Sequence, residues 1–101
     1  MQFLVRTTSF LPPDFDADAR QQLLAEEKAR CSELTEAGKI VGHWRIPISR
    51  ESVTVWEVVE PGELHELVMS LPASKWAHSV ATALVVRNLQ NHSKDPSQKI
   101  A

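Results

Sequence analysis

Trp76-Ala77-His78-Ser79-Val80-Ala81-Thr82-Ala83-Leu84-Val85-Val86 is the stretch on which the fold turns. Its alanines suit a helix, but its recurring β-branched residues and the preceding Pro72 favour a strand. A strand here sets Trp76, Val80, Leu84 and Val86 on one face, with Ala77, Ser79, Ala81 and Ala83 on the other. It then closes a series of elements that can be followed back to the N-terminus. Just upstream, Leu64, Leu67, Val68 and Leu71 form one stripe of a helix spanning residues 63–71, which Pro72 ends. Before it, residues 53–59 (Val-Thr-Val-Trp-Glu-Val-Val) carry the strongest strand signal in the chain, broken by Glu60-Pro61-Gly62.

A polar turn, Ser49-Arg50-Glu51-Ser52, separates that strand from an earlier one over residues 39–48. Strict alternation there places Ile40, Gly42, Trp44, Ile46 and Ile48 on one face and Val41, His43, Arg45 and Pro47 on the other. Pro47 marks the run as an edge strand or a bulge. The preceding helix is expected to start at the capping residues Asp14 and Asp16, run to about Ala37 and stop at Gly38. A first strand over residues 2–10 ends at Leu11-Pro12-Pro13.

The order is β-α-β-β-α-β, an α+β ferredoxin-like arrangement. Right-handed crossovers give one four-stranded antiparallel sheet with both helices on one face. Residues 1–87 are expected to form this domain, and residues 88–101, polar and without periodicity, a C-terminal tail. Apolar residues fall on both strand faces, yet helices cover only one. A second subunit is the economical cover for the other.

With 101 residues, 43% of them apolar and a net charge of -2, the chain supports one ordinary globular domain. The charge balance argues against a nucleic-acid partner, which needs a basic stripe. No apolar run approaches the roughly 18–20 residues of a membrane helix. The lone Cys31 precludes an intrachain disulfide, and with no leader pattern the expected location is cytoplasmic. His43, His65, His78 and His92 stand in no metal-ligand spacing, so no metal site is expected. Three scattered glycines make no phosphate-cradling loop.

The first helix holds an anomaly. On a helical wheel Glu27 and Arg30 lie about 40° and 20° from Leu23, inside the stripe that faces the sheet. A half-desolvated carboxylate there makes a better proton acceptor near neutral pH. The alternative is a structural ion pair between Glu27 and Arg30 whose long stems reach the helix edge. Cys31, at the edge of the stripe, suits a small core filler. Trp44, Trp56 and Trp76 suit core or subunit contacts, or the lining of an apolar pocket. His65 flanks the stripe of the second helix. Arg45 has the fork geometry to clamp a carboxylate. Trp44 and Arg45 cannot both face one pocket unless their strand is bulged.

Taken together, Leu11-Pro12 and Asp14, Glu27-Lys28, Gly38, Trp44-Arg45-Ile46, Leu64-His65 and Leu71-Pro72 resemble the muconolactone isomerase family over residues 1–72. The resemblance implies a ferredoxin-like domain of the dimeric α/β-barrel type, a homodimer that assembles further, up to decamers, and no cofactor. It implies proton transfer across an allylic lactone in the β-ketoadipate route of aromatic degradation. Glu27 would be the general base. Arg45 would hold the carboxylate of the small-molecule lactone, with Trp44, His65 and Trp56 completing the substrate-binding set. Ala73-Ser74-Lys75-Trp76-Ala77-His78 replaces the apolar stretch usual in the family, so the expected substrate is muconolactone or a related butenolide; His92-Ser93 retains a faint trace of the family's ending. Two other classes fit the same residues: a cofactor-free monooxygenase or cyclase, and a non-catalytic ligand-binding or assembly module.

Overall fold

The computed structural model describes residues 1–87, and the expected tail with His92 lies outside them. The chain runs β1 (Gln2–Ser9), α1 (Ala17–Glu36), β2 (Ile40–Arg45), β3 (Glu51–Glu57), α2 (Pro61–Met69), a 3-10 turn (Ser74–Trp76) and β4 (Ala77–Leu84). The strands form one sheet in the order β2-β3-β1-β4, every neighbour antiparallel. This is the ferredoxin-like α+β fold that the element order predicts. β2 lies at an edge, and Pro47 falls just beyond it, where no ladder donor is required.

Local chemistry sets the helix ends. The Asp16 carboxylate accepts the Ala19 N–H at 2.9 Å and starts α1. At the other end Gly38 takes φ +76°, and the N–H groups of Gly38 and Lys39 return to the carbonyls of Thr35 and Leu34. That paired closure is a Schellman motif, which needs the left-handed residue glycine supplies most cheaply. The second helix begins earlier than expected, at Pro61. Proline suits the first turn because its missing N–H would have no helical partner, and Glu60 caps the turn by accepting from Gly62 and Glu63.

Glu63 then reaches back, accepting the Val59 N–H at 2.8 Å and the Lys39 ammonium at 3.1 Å. The Val59 bond first, and the Lys39 contact second, hold its carboxyl below the usual carboxylate range. A depressed native value means stability that is present above the unfolded value, near 4.3, and lost as pH falls through the lower native one. The melting temperature should therefore drop more steeply in the parent than in Glu63→Gln as pH is lowered from about 5 to 3. Parallel melting curves would show that these contacts carry no linkage.

The core lies between the helices and one sheet face. Trp56, 1% exposed, sits opposite Phe3 on β1 and Ile40 on β2, so one apolar row crosses three strands. Leu34 of α1, with Leu64 and Val68 of α2, packs over this row. Cross-strand partners share a face. The helix-covered face therefore carries Phe3, Val5, Thr54 and Trp56, and the other carries Leu4, Val53, Val55 and Val80.

β2 departs from strict alternation. Ile40 pairs with Trp56 but Gly42 pairs with Val55, so one extra residue, Val41, is inserted. The bulge reverses every side chain after it. Ile40, His43 and Arg45 share the helix-covered face, and Gly42 and Trp44 share the open one. The expected grouping of Ile40 with Gly42 and Trp44 is thus corrected, and β2 stops at Arg45, short of residue 48. At the other edge β4 begins at Ala77. Trp76 belongs to the 3-10 turn and sets its ring edge-on to Phe15, with centroids 5.3 Å apart, instead of joining the strand face expected for it.

Candidate active site

A cavity of about 570 Å³ opens between α1 and the sheet. Leu24, Glu27, Lys28 and Cys31 line it from the middle of α1, and Ser32, Thr35 and Glu36 from the following turns. The sheet contributes His43. These helix positions recur at three- and four-residue intervals, so they form one flank of α1. The lining is mixed, with two carboxylates, an ammonium, two hydroxyls and an imidazole beside an aliphatic and a thiol surface.

Glu27 is half-buried, and its Oε1 accepts the backbone N–H of Ala73 at 2.9 Å. That N–H lies beyond the end of α2, in the short link to the 3-10 turn. One carboxylate oxygen is thus fixed by the scaffold. Oε2 has no protein donor among the described residues. The bond comes from backbone, so any residue but proline at position 73 supplies it. The segment that follows α2 thus anchors this carboxylate.

Arg30 does not pair with Glu27. Its guanidinium donates to Ser70 Oγ at 3.0 and 3.3 Å and lies 3.8 Å from Glu33, so the expected Glu27–Arg30 ion pair is replaced by a tether between the two helices. Cys31 packs against the core, and burial pushes its thiol up, the neighbouring Glu27 charge adding to the effect and Arg30 opposing it. A thiol held protonated is a poor nucleophile. It serves as polarisable lining.

The other expected site residues lie elsewhere. Arg45 shares the sheet face of His43, two residues on; both are exposed, but only His43 borders the cavity. Trp44 lies on the opposite sheet face, where its ring folds over Gly42: a Cβ there would meet Trp44 Cζ3 at 2.7 Å. His65 is exposed on α2. Trp56 is enclosed in the core, with its indole Nε1 donating to Thr54 Oγ1 at 2.8 Å. Of the five, only Glu27 lines the cavity. Lys28 and His43, which do line it, were not among the expected binding residues. Lys28 lies about 140° from Leu23 on the same wheel, outside the sector that marked Glu27. His43 reaches the cavity only through the bulge, whose sole sequence sign is an isolated glycine inside a strand pattern.

Among the described residues no three His, Cys, Asp or Glu side chains converge as a metal-ligand set, and no helix is long and apolar enough to cross a membrane.

Comparison with known proteins agrees with this fold. A solved muconolactone isomerase crystal structure superposes with a TM-score of 0.81 at 30% identity, covering 86% of this chain and 91% of that one. The muconolactone Δ-isomerase of Rhodococcus opacus is 36% identical over 70 residues, 69% of this chain and 75% of that protein. Muconolactone Δ-isomerase 2 of Acinetobacter lwoffii is 30% identical over 95 residues, covering 94% and 99%. The sequence model described as muconolactone delta-isomerase matches residues 1–95, and with these likenesses the chain belongs to the muconolactone Δ-isomerase family.

Proposed function

We propose that this chain is an isomerase that moves a proton across the conjugated system of a carboxylated butenolide, muconolactone or a close relative, in the breakdown of aromatic compounds. Glu27 is the general base. The observation that carries this reading is its half-buried carboxylate on the cavity wall, with one oxygen held by the Ala73 N–H. The base removes the proton from the γ-carbon of the lactone. The C–H electrons become a new double bond, the old double bond shifts towards the carbonyl, and the resulting dienolate is protonated at the α-carbon. Atoms and electrons balance without an oxidant or reductant, so the chemistry calls for no redox cofactor. Lys28, adjacent to Glu27 in the lining, supplies a cation for the substrate carboxylate, and Arg45 stands on the sheet face beyond His43. The test is conversion of muconolactone to the enol-lactone in deuterium oxide. Product carrying solvent deuterium at the α-carbon supports the reading, and no conversion removes it.

The assembly we propose is a homodimer, with the option of larger rings of dimers, formed by packing the open sheet faces of two copies together. Leu4, Val53, Val55, Trp44 and Val80 share that face, and Trp44 and Val80 are each more than half exposed. The face's charged groups are already matched within one chain, Arg6 with Glu51 at 2.7 Å and Glu57 with the N-terminal ammonium at 2.9 Å, so it can be covered without stranding a charge. A two-fold axis would set each apolar stripe against its own copy. Sedimentation at micromolar concentration is expected to give a dimer or a multiple of it. Trp44→Glu should shift the mass towards the monomer, because a carboxylate would be desolvated at the centre of the contact. A monomeric parent protein would end the proposal.

A further inference from the structure

We propose that His43 is a second catalytic residue of this cavity, donating a ring N–H to the lactone carbonyl oxygen as negative charge develops there. The inference rests on the isomerase reading above and adds to it the group on the opposite wall.

Three observations converge on this residue. His43 is the one cavity-lining side chain from the sheet, while all the others come from α1. It is there because of the bulge at Val41. Without the inserted residue, alternation from Ile40 would turn His43 to the open face and place Trp44 beneath the helix. Bulges that re-aim a side chain are concentrated beside active sites. Its imidazole, moreover, forms no ion pair among the described residues. The hydroxyl of Thr54, its cross-strand neighbour, is engaged by the Trp56 indole. The imidazole is therefore uncommitted and borders the same empty space as the base.

The reaction requires such a group. When Glu27 takes the γ-proton, the electron pair spreads through the diene onto the carbonyl oxygen, and a hydrogen-bond donor aimed at that oxygen lowers the barrier. Glu27 and Glu36 are acceptors when ionised, and the Cys31 thiol is a weak donor. The Thr35 hydroxyl already donates to the Cys31 carbonyl at 2.8 Å, and the Ser32 hydroxyl stands on the same helix as the base, not across from it. Lys28, one residue from Glu27 on the same helix, suits the substrate carboxylate. An imidazole keeps a ring N–H in either protonation state, so it can serve across neutral pH. A flat ring lying between helix and sheet would then meet the base from one side and the donor from the other. The charged and titratable groups facing His43 are Glu27, Lys28, Cys31 and Glu36 on α1, with Arg45 along its own strand face.

The test uses His43→Leu, His43→Gln and Glu27→Gln in the full chain, with muconolactone as substrate. The saturated lactone 5-oxotetrahydrofuran-2-acetic acid serves as an unreactive probe. His43→Leu should lower kcat about 10²–10³-fold with little change in KM, and His43→Gln, which keeps an N–H donor, should recover at least tenfold of that loss. Titrating the saturated lactone into Glu27→Gln should shift the His43 imidazole resonances. If His43→Leu turns over like the parent, or if both His43 variants lose equally, His43 is not the donor, while the isomerase reading stands. If the parent neither converts muconolactone nor binds the saturated lactone, both proposals fall.

Discussion

A Glu27→Gln variant is expected to lose about 10²–10⁴-fold in kcat on muconolactone while keeping its melting temperature. Glutamine has the same length and shape, and its side-chain carbonyl can accept the Ala73 N–H that now binds Oε1 at 2.9 Å. The link between α1 and the segment after α2 therefore survives. What disappears is the lone pair basic enough to take a carbon-bound proton. The loss belongs in kcat, since the amide still fills the same part of the cavity wall, and deuterium incorporation should fall in step with turnover. Glu27→Asp separates basicity from position. It keeps a carboxylate but withdraws it by one methylene, and a misplacement of about 1 Å is enough to cost on the order of 10²-fold. A glutamine variant with undiminished turnover would return Glu27 to the role of a structural acceptor for Ala73. The family relationship would then stand without this mechanism.

Glu27 could be singled out because a charge in the core-facing sector of a helix breaks a strong periodic rule, and the wheel needs only residues within a few turns. The same locality made Asp16 and Gly38 legible, each being a short-range answer to unpaired backbone groups at a helix end. The partner of Glu27 was not legible. Ala73 lies 46 positions away, and it contributes a backbone N–H, a group every residue except proline carries. Arg30 is the partner that i+3 spacing on one helix face suggests. In three dimensions Ser70, at the end of the neighbouring helix, offers it a hydroxyl at 3.0 Å.

The second wall of the cavity was hidden for a different reason. Side-chain facing along a strand is a parity, so one inserted residue inverts everything after it. The mark of that insertion was Gly42, which also gives the ring of Trp44 room to lie flat on the open face. Parity with the bulge included puts His43 and Arg45 together and sends Trp44 away from them. The conflict between Trp44 and Arg45 is thereby resolved in favour of the arginine's face. The expectation of a covered second sheet face follows from the same bookkeeping, because Trp44 and Val80 are large apolar groups left without a partner in the single chain.

Trp56→Ala should be the most damaging single truncation in the molecule, costing about 3–5 kcal/mol. Against a total of about 5–15 kcal/mol for an ordinary domain, that leaves the chain partly or wholly unfolded at physiological temperature. The indole is the middle member of the row Phe3–Trp56–Ile40, which ties β1, β3 and β2 together, and residues of both helices close over it. Its removal leaves a hole that no neighbour can fill without breaking strand register. Trp56→Phe is the informative companion. It keeps an aromatic ring in the row but removes the Nε1–H that now meets Thr54 Oγ1 at 2.8 Å, and should cost about 1–2 kcal/mol. Thr54 lies directly across from His43, so freeing its hydroxyl changes the surroundings of the proposed donor without touching the cavity lining. Measured by denaturant unfolding beside steady-state kinetics, Trp56→Phe should lose stability and retain KM. A raised KM with unchanged stability would instead assign the indole to substrate contact, the role its residue type suggests when the sequence is read without the fold.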